Sequence, residues 1–387
     1  MTEKLYLKDG HCMCRSAVVT GCEPCDGGFA VLLDATPFFP GGGGQSCDGG
    51  TLDGACVSRC FEDGDDVVHV CEKSFAVGAA VTACVDEKTR FRRMQLHSGE
   101  HIVSGVAHGK WGCENVGFHM DDSAAVIDFD RELTADQLAE LERCANRAIW
   151  ENRPFRISFP SPEELPRLDY RSKLELTENV RLVEIEGVDL CACCAPHVAA
   201  SGEVGAIKIV DRLRHRGGIR LTIVCGQSAY EDYCRKYSNV SAISALLSAK
   251  PDETASYVER LLAERDSLAG AFHAYQLRVA EASLPQFVPC GCTLCLVTDL
   301  FDADMMRFAV NVKKEEAPLA AVFSGDSTDG YRYLAAGKIT DTKSFAARLN
   351  AALNGRGGGR DGMIQGSAQT TPDAIRAFFE ALKETDL

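Results

Sequence analysis

The stretch RMQLHSGEHIVSG, residues 93–105, guides the interpretation of this chain because it places two histidines four positions apart in a helical pattern. Side chains at i and i+4 share one face of a helix, so the imidazoles of His97 and His101 can bind one cation. A HxxxH pair alone is weak evidence for a metal site. A second set of ligands is therefore needed elsewhere in the chain.

That second set lies in CCAPH, residues 193–197, directly after the strand-like run VRLVEIEGVDL. Cys193 and His197 repeat the four-residue offset. Three imidazoles and one thiolate suit zinc and are a poor match for calcium or magnesium. We therefore predict one zinc ion held by His97, His101, Cys193 and His197. Four protein ligands fill a tetrahedron, whereas catalytic zinc keeps one position open, so a structural and a catalytic ion both remain candidates.

Outward from these motifs, the first ninety residues alternate short apolar runs with glycine-rich turns, which is typical of a small β-barrel or sandwich. A helical pattern begins at Arg90. Thr134 and Gln137 then form a capping box that opens a second helix. Strand-like segments follow at residues 179–189, 204–210 and 219–225. Helices between strands indicate an α/β sandwich.

The second half of the chain is helical beyond Tyr230 and returns to alternating strands and helices after Pro285. Its last helix has Thr371 at the N-cap and Pro372 at the first position. Apolar residues recur at spacings of three, four and seven at Tyr257, Leu261, Leu268, Phe272, Tyr275 and Val279. This spacing predicts a heptad-like seam, residues 257–279, which either folds back as a hairpin or forms a homodimer.

We therefore predict an α/β (α+β) protein of four parts. These are a β-barrel domain at 1–89, a zinc-binding α/β sandwich at 90–229, a helical linker or coiled coil at 230–285, and a C-terminal α/β domain at 286–387. A length of 387 residues is sufficient for two or three cores, and 45% hydrophobic with 25% charged residues excludes wholesale disorder.

The composition also constrains partners and location. No apolar run approaches the ~18 residues that span a bilayer, and the start lacks a secretory signal, so we expect a cytoplasmic protein without a membrane partner. A net charge of −15 argues against a general nucleic-acid binder.

In the cytoplasm, most of the 19 cysteines should be thiols. Closely spaced ones could bind a second metal or undergo redox chemistry, namely Cys12, Cys14, Cys22, Cys25, Cys290, Cys292 and Cys295.

The two ligand motifs, in this order, resemble those of the alanyl-tRNA editing proteins and of the editing domain of alanyl-tRNA synthetase. Three further stretches are similar to that family: FPGGGGQ with DGGTL at 39–52, GEVG at 202–205, and GRGGGR with MIQG at 355–366. The last stretch resembles the glycine-rich motif of the DHH-associated domain found in the long forms. The resemblance covers nearly the whole chain.

The resemblance implies a freestanding trans-editing hydrolase with a zinc-containing site in an editing domain at 90–229. Its substrate would be mischarged alanine tRNA carrying serine, with glycine as a second candidate. A pocket for alanine cannot strongly reject either amino acid, so a second site must remove the errors. The resemblance implies catalytic roles for Gln45 and Ser98 and a substrate pocket at Gly43, Gly44 and Asp189. Two departures make amino-acid selectivity less predictable than the reaction: CCAPH replaces the family's CGGTH, and Ser98 stands where many relatives carry threonine.

Arginines cluster locally within this acidic chain, and we expect them to contact tRNA phosphates. They are Arg92, Arg93, Arg212, Arg214, Arg216, Arg220, Arg356 and Arg360. The alternative is that the charge runs are solvated surface and that residues 355–360 form a flexible loop.

Two other functions are weighed against editing. DHH-associated domains also accompany phosphoesterases, but those enzymes need an Asp-His-His metal cluster, and no DHH tripeptide occurs in this chain. A zinc-stabilised tRNA-binding module without catalysis is the other alternative. It would bind charged tRNA without deacylating it.

Overall fold

The computed structural model describes residues 1–172 and 180–387. The chain divides into two compact units, Met1–Ala242 and Ile243–Leu387. Both contain helices and sheets, so the predicted mixed α/β class is confirmed. Asn179, which opens the predicted 179–189 segment, lies outside the described residues. The finer division into four parts stays a prediction.

The first unit begins with short strands joined by glycine-containing turns. They are β1 Glu3–Lys4, β2 Cys14–Cys25, β3 Gly28–Leu33, β4 Ala35–Thr36, β5 Gly50–Leu52, β6 Ala55–Asp63, β7 Asp66–Cys71 and β8 Ala80–Val85. Six of them pair antiparallel in the closed order β2-β3-β7-β6-β5-β8. Alternate apolar side chains such as Val31 and Leu33 fill the interior, as the twofold periodicity of a strand requires.

Helix α1, Glu87–Trp111, follows the barrel and carries the HxxxH motif. Asp86 caps its first turn by accepting a hydrogen bond from the Thr89 amide, and Gly112 ends it in the left-handed conformation. The helix passes very close to its neighbours because it has glycine at two contact points. A Cβ on Gly99 would lie 2.4 Å from Cys225 Sγ, and one on Gly105 would lie 2.4 Å from the Val188 carbonyl oxygen.

The remaining elements of this region surround α1 with two small sheets. They are β9 Asn115–Met120, β10 Ala125–Phe129, α2 Ala135–Trp150, β11 Phe155–Ser158, β12 Leu182–Ile185, β13 Asp189–Ala192, β14 Ile207–His215, β15 Gly218–Cys225 and α3 Gly226–Leu247. The sheet orders are β14-β15-β10-β9 and β11-β12-β13. The predicted capping box of α2 is confirmed, since Thr134 and Gln137 exchange side-chain-to-backbone hydrogen bonds.

The second unit is built on one six-stranded sheet of order β16-β17-β18-β19-β21-β20. Its elements are α4 Thr254–Ser283, β16 Val288–Cys290, β17 Thr293–Thr298, α5 Ala303–Lys313, β18 Leu319–Asp326, β19 Gly330–Gly337, α6 Thr342–Ala352, β20 Gly355–Arg360, β21 Met363–Ala368 and α7 Pro372–Glu380. Strands β17 and β18 are parallel. Thr371 caps α7 as expected, by accepting a hydrogen bond from the Ala374 amide.

Residues 355–360 form the edge strand β20, so the alternative of a flexible loop is wrong. Helix α4 carries the predicted seam, and Leu268 and Phe272 within it are 70% and 62% exposed. Whether that seam forms a homodimer stays a prediction. Among the described residues, no helix combines the length and the apolar character needed to cross a membrane.

A buried ion pair joins α1 to the barrel. Arg90, which the sequence places beside two other arginines, is fully buried rather than part of a basic surface. Its Nε lies 2.9 Å from Asp48 Oδ2, and its Nη2 also contacts that oxygen. The same guanidinium donates to the carbonyl oxygens of Gly10 at 3.0 Å and Pro37 at 2.7 Å. One side chain thus connects the helix, the N-terminal segment and the barrel.

We expect Arg90→Ala to lower the free energy of unfolding of the first unit by about 3–5 kcal/mol, because it leaves the Asp48 carboxylate buried without an opposite charge. Urea unfolding followed by tryptophan fluorescence measures this change, since Trp111 and Trp150 are the chain's only two tryptophans and both lie in that unit. Arg131→Ala, at an exposed ion pair, is the control and should change stability by less than about 0.5 kcal/mol. Equal changes in the two variants would contradict the prediction.

Candidate metal centre

Four side chains from distant parts of the chain converge on one point. The donor atoms of His97, His101, Cys193 and His197 all lie within 4.8 Å of one another, so the group could hold a metal ion. Cys193 Sγ lies 3.6 Å from His97 Nε2 and 3.3 Å from His197 Nε2. The three histidines are buried and the cysteine is partly exposed. The sequence-predicted ligand set is therefore brought together by the fold.

The backbone around Cys193 is held by a buried arginine. Arg181 Nη1 donates to the carbonyl oxygens of Cys193 at 2.6 Å and Ala195 at 3.0 Å. Its own carbonyl accepts a hydrogen bond of 3.1 Å from the Cys193 amide. Sequence reasoning missed this positioning role. The signal is the one basic residue of the strand-like run VRLVEIEGVDL, at its second position.

Each ligand histidine has an oxygen partner at its other ring nitrogen. Nδ1 of His97 lies 2.8 Å from Gln45 Oε1, Nδ1 of His101 lies 3.0 Å from Asp189 Oδ2, and Nδ1 of His197 lies 3.0 Å from Ser98 Oγ. When Nδ1 carries the ring proton, each imidazole donates to that oxygen and Nε2 keeps its lone pair. This arrangement orients metal-binding imidazoles and fixes their tautomer.

Electrostatics favours the protonation states that a metal requires at Cys193 and at His197. Burial raises the pKa of Cys193, but His97 and His197 outweigh that effect and hold it well below its usual value. Burial lowers the pKa of His197 to about 3. Burial acts to lower the pKa of His101, but Cys191 and the hydrogen bond to Asp189 outweigh it and hold that pKa well above its usual value, so a metal has to displace a proton there. A thiolate with imidazole nitrogens is the donor set that binds a borderline-soft cation. By donor chemistry and tautomer, these residues fit a metal.

Asp189 forms hydrogen bonds with two side chains, those of His101 and Arg171. It accepts the His101 hydrogen bond, and Arg171 forms a bidentate pair with it at 2.7 and 2.8 Å. Burial raises the pKa of this carboxyl, but His101 and Arg171 together hold it below its ordinary value. Asp189 therefore stays anionic and can stabilise a positive charge on the centre.

Ser98 and Gln45 also touch ligands directly. The Ser98 side chain is fully buried, and its Oγ accepts a hydrogen bond from the Val198 amide at 3.2 Å in addition to its contact with His197. Gln45 is buried as well, and its Nε2 has no hydrogen-bond partner among the described residues. Both residues position histidines. A direct role for either toward substrate stays a prediction.

The segment that carries Gln45, residues 39–48, is here called the glycine loop. Gly44 has a φ of +87°, and a Cβ there would lie 2.6 Å from the Phe118 carbonyl oxygen. The Phe118 ring in turn packs 4.9 Å from that of His97. Only glycine permits this approach, which seats Gln45 against the centre. Gly43 has open space around its α-carbon, so packing places no demand on it.

Glu100 is a further group that sequence reasoning missed. It is buried, and its Oε1 accepts hydrogen bonds of 2.6 Å from both Ser104 Oγ and Asn115 Nδ2. Its Oε2 lies 3.8 Å from His101 Nε2. The available signal was the full pattern HxxEH, which occurs in a class of zinc enzymes where the glutamate acts beside the ligands.

The arginines expected to contact tRNA fall into two groups. Arg92, Arg93 and Arg220 are paired with Glu231, Asp122 and Asp128 at 2.6–2.7 Å. Exposed arginines lie on the β14–β15 hairpin, namely Arg212, Arg214 and Arg216. Arg214 pairs with Glu132 at 2.9 Å although its side chain is 84% exposed. Arg356 and Arg360 are exposed on β20 of the second unit.

Among the described residues, the other closely spaced cysteines do not belong to any group of side chains that could hold a metal ion. Cys14 forms a disulfide with Cys84 across the neighbouring strands β2 and β8. The other 17 cysteines are thiols, in line with the expectation for most of them. A second metal site at the closely spaced cysteines is therefore not supported by their placement.

Comparison with known proteins agrees with this geometry. Residues 180–222, which include Cys193 and His197, match the family described as the threonyl and alanyl tRNA synthetase second additional domain. The chain is 28% identical over 350 residues to the alanyl-tRNA editing protein Aarsd1-A of Xenopus laevis, covering 88% of this chain and 85% of that protein. It is 26% identical over 407 residues to Aarsd1 of Mus musculus, covering 98% and 96%.

A third relative is the alanine–tRNA ligase of Ignicoccus hospitalis, 27% identical over 372 residues, or 93% of this chain and 40% of the ligase. The resemblance to alanyl-tRNA editing proteins that the motifs predicted is therefore confirmed over most of the chain.

We expect Cys193→Ser to lose most bound metal and Cys194→Ser to keep it, because only Cys193 belongs to the four-residue group. The adjacent Cys194 is exposed and provides a matched control one residue away. Metal content per protein chain, measured by mass spectrometry of the elements after dialysis against zinc and buffer, tests the pair. Equal loss of metal from both variants would mean that the assignment of Cys193 as the cysteine ligand is wrong.

Proposed function

We propose that this relative of the alanyl-tRNA editing proteins is a trans-editing aminoacyl-tRNA deacylase that hydrolyses the ester between serine and alanine tRNA. Glycine is the second candidate for the amino acid. The supporting observation is the buried group of three imidazoles and one thiolate in which every imidazole is oriented by its own oxygen partner.

Zinc is the metal we assign to this group, because three nitrogen donors and one sulfur donor match its preferences. When bound, zinc would polarise an ester carbonyl, lower the pKa of a water, or hold the pocket in shape. His97, His101, Cys193 and His197 would be its ligands. Gln45, Asp189 and Ser98 would keep the three imidazoles in the binding tautomer.

An aminoacyl ester is already activated, so its hydrolysis needs mainly a positioned water and a stabilised carbonyl oxygen. We assign the second of these tasks to Gln45. Its Nε2 is a buried donor without a partner among the described residues, while the other end of the amide is held by His97. A donor that is preorganised in a dry site stabilises developing negative charge without further reorganisation.

In this proposal Ser98 senses the side chain of the esterified amino acid, and its contact with His197 places it beside the metal group. Gly43 and Gly44 form the wall of the pocket together with Asp189. These assignments follow the resemblance, the contact of Asp189 with His101, and the position of Gly44 next to Gln45, which contacts His97. The selectivity for serine over alanine depends on them.

We assign recognition of the tRNA body to the exposed arginines. Those on the β14–β15 hairpin lie in the same unit as the metal group, and those on β20 lie in the second unit, which we assign as a DHH-associated domain. Guanidinium groups on an otherwise acidic chain bind phosphates locally and leave the rest of the surface unattractive to nucleic acid. Arg92, Arg93 and Arg220 belong to this set only if RNA displaces their carboxylate partners. A cytoplasmic location and a homodimer through residues 257–279 complete the proposal.

The experiment that tests the function uses alanine tRNA charged separately with serine, glycine and alanine. The zinc-loaded protein should release serine fastest and spare the alanyl ester, and chelation should abolish release. Binding of charged tRNA without release would favour the zinc-stabilised binding module. Cleavage of short oligonucleotides without ester hydrolysis would favour the phosphoesterase.

Gln45→Glu tests the assigned donor. It keeps an oxygen acceptor for His97 but replaces the amide donor, so we expect kcat for seryl ester hydrolysis to fall about 10²-fold with metal content unchanged. Gln45→Ala removes both contacts and should lower metal content as well. Single-turnover kinetics and metal analysis provide the two readouts. A Gln45→Glu variant with the parent kcat would reject the role.

The double variant Arg356→Ala, Arg360→Ala tests recognition by the second unit. We expect KM for charged tRNA to rise and the slope of log affinity against log salt to decrease by about 1.5, since each lost phosphate contact contributes ~0.7–0.9. The rate at saturating substrate should not change. Arg307→Ala, on the exposed side of α5, is the control. An unchanged KM and salt slope in the double variant would show that β20 does not contact tRNA.

A further inference from the structure

Glu100 is a buried carboxylate on helix α1, and two polar side chains hold one of its oxygens. Its side chain is 6% exposed. Ser104 Oγ and Asn115 Nδ2 each lie 2.6 Å from Glu100 Oε1, and the asparagine nitrogen also lies 3.1 Å from Ser104 Oγ. The serine oxygen accepts from the asparagine, so its own proton is directed at the carboxylate. Both hydrogen bonds therefore end on Oε1.

The other oxygen of this carboxylate lies beside the metal group. Glu100 Oε2 is 3.8 Å from His101 Nε2, while Nδ1 of that ring contacts Asp189. Glu100 does not belong to the four side chains whose donor atoms all lie within 4.8 Å of one another. Cys193, one of those four, is partly exposed, so the centre is not sealed from solvent. Oε2 is thus placed next to the predicted ligands without being one of them.

Glu100 has no basic side chain as a partner. In the part of the chain that the structure describes, no lysine or arginine forms an ion pair with its carboxylate. Its two hydrogen-bond donors are a neutral hydroxyl and a neutral amide. A carboxylate withdrawn from water is costly unless a positive charge compensates it. The position therefore suits a cationic group of a bound ligand.

We propose that Glu100 Oε2 binds the α-ammonium of the aminoacyl ester, so that the site selects esters of amino acids over esters in which a hydroxyl replaces the amino group. This role rests on the proposed function, because the substrate of an aminoacyl-tRNA deacylase carries a cationic group one carbon from its scissile carbonyl. An ammonium and a carboxylate form a charge-assisted hydrogen bond, which is stronger than a neutral one.

Gln45 and Glu100 offer complementary groups beside two neighbouring histidines. Gln45 Oε1 contacts His97, and its Nε2 is a buried donor without a partner among the described residues. Glu100 lies beside His101, whose ring centre is 5.5 Å from that of His97. In an aminoacyl ester the carbonyl oxygen is an acceptor and the nearby α-ammonium is a donor. The carboxylate is the member of this pair that distinguishes an amino acid from a hydroxy acid.

The test compares alanine tRNA esterified with serine and with glyceric acid, in which a hydroxyl replaces the α-ammonium, on the full-length zinc-loaded protein. Glu100→Gln keeps an oxygen acceptor for Ser104 and Asn115 and removes the charge. We expect the ratio of kcat/KM for the seryl ester to that for the glyceric ester to fall about tenfold to a hundredfold, since a hydrogen bond between charged groups is lost. An unchanged ratio would overturn the role, because a purely structural Glu100 affects both esters alike.

Two further variants accompany this comparison. Glu87→Gln makes the same change of charge at an exposed position of the same helix and should keep the parent ratio. Ser104→Ala keeps the Glu100 carboxylate but removes one donor that orients it, so the ratio should fall about threefold. If Glu100→Gln does not fold, an unchanged ratio in Ser104→Ala overturns the role. Metal content should equal that of the parent in each variant, and loss of metal from Glu100→Gln would make Glu100 a ligand instead.

Binding of uncleavable amides separates the ammonium site from the proposed function. The probes are 3′-amino-3′-deoxyadenosine acylated with serine and the same nucleoside acylated with glyceric acid. By calorimetry, the parent should bind the seryl amide at least about tenfold more tightly, and Glu100→Gln should lose that preference. A parent that shows the preference but hydrolyses neither ester would overturn the deacylase and keep the ammonium site. Hydrolysis of the seryl ester without any preference in binding would overturn the ammonium site alone, and a parent that neither binds nor hydrolyses would overturn both.

Discussion

The buried pair of Arg90 and Asp48 is the interaction on which the first unit depends. Two opposite charges are withdrawn from water there, and this is tolerable only because the guanidinium also finds the carbonyl oxygens of Gly10 and Pro37. Asp48 also accepts the Phe39 amide at 2.7 Å, so the carboxylate closes the glycine loop at the same time. Helix α1, the barrel and the loop are thereby held in one arrangement.

The metal group is a consequence of that arrangement. Two of its candidate ligands lie on α1, about two and three turns beyond Arg90, and the other two lie on the segment after β13. The oxygen partners of the imidazoles come from three places: the glycine loop supplies Gln45, β13 supplies Asp189 and α1 itself supplies Ser98. A shift of any of these elements would therefore misalign an imidazole, which explains why glycine is required where α1 and the loop make their closest contacts.

The glycine loop connects the metal centre to the barrel. Gln45 within this short segment contacts a candidate ligand histidine, and the carbonyl oxygens of Phe39 and Asp48 at its two ends contact the buried Cys60 thiol. Glycines with positive φ make the loop adaptable, while Asp48 and Cys60 hold its base. The position of Gln45 beside His97 therefore depends on how the loop is held at its two ends.

The sequence by itself determined the candidate ligand set, the mixed α/β class and the caps of α2 and α7, because these depend on spacing and local hydrogen bonding. The four-residue offsets in HSGEH and CCAPH and the Thr134–Gln137 box are local patterns, and they survive any tertiary arrangement. The sequence could not show that Arg90 is buried, that Glu100 lies beside His101, or that Ser98 forms a hydrogen bond with His197. Those facts depend on contacts between residues 42 to 99 positions apart or on the side of a helix that faces the core. Only the packing of the barrel, α1 and the segment after β13 decides them, since burial and charge pairing arise when distant surfaces meet.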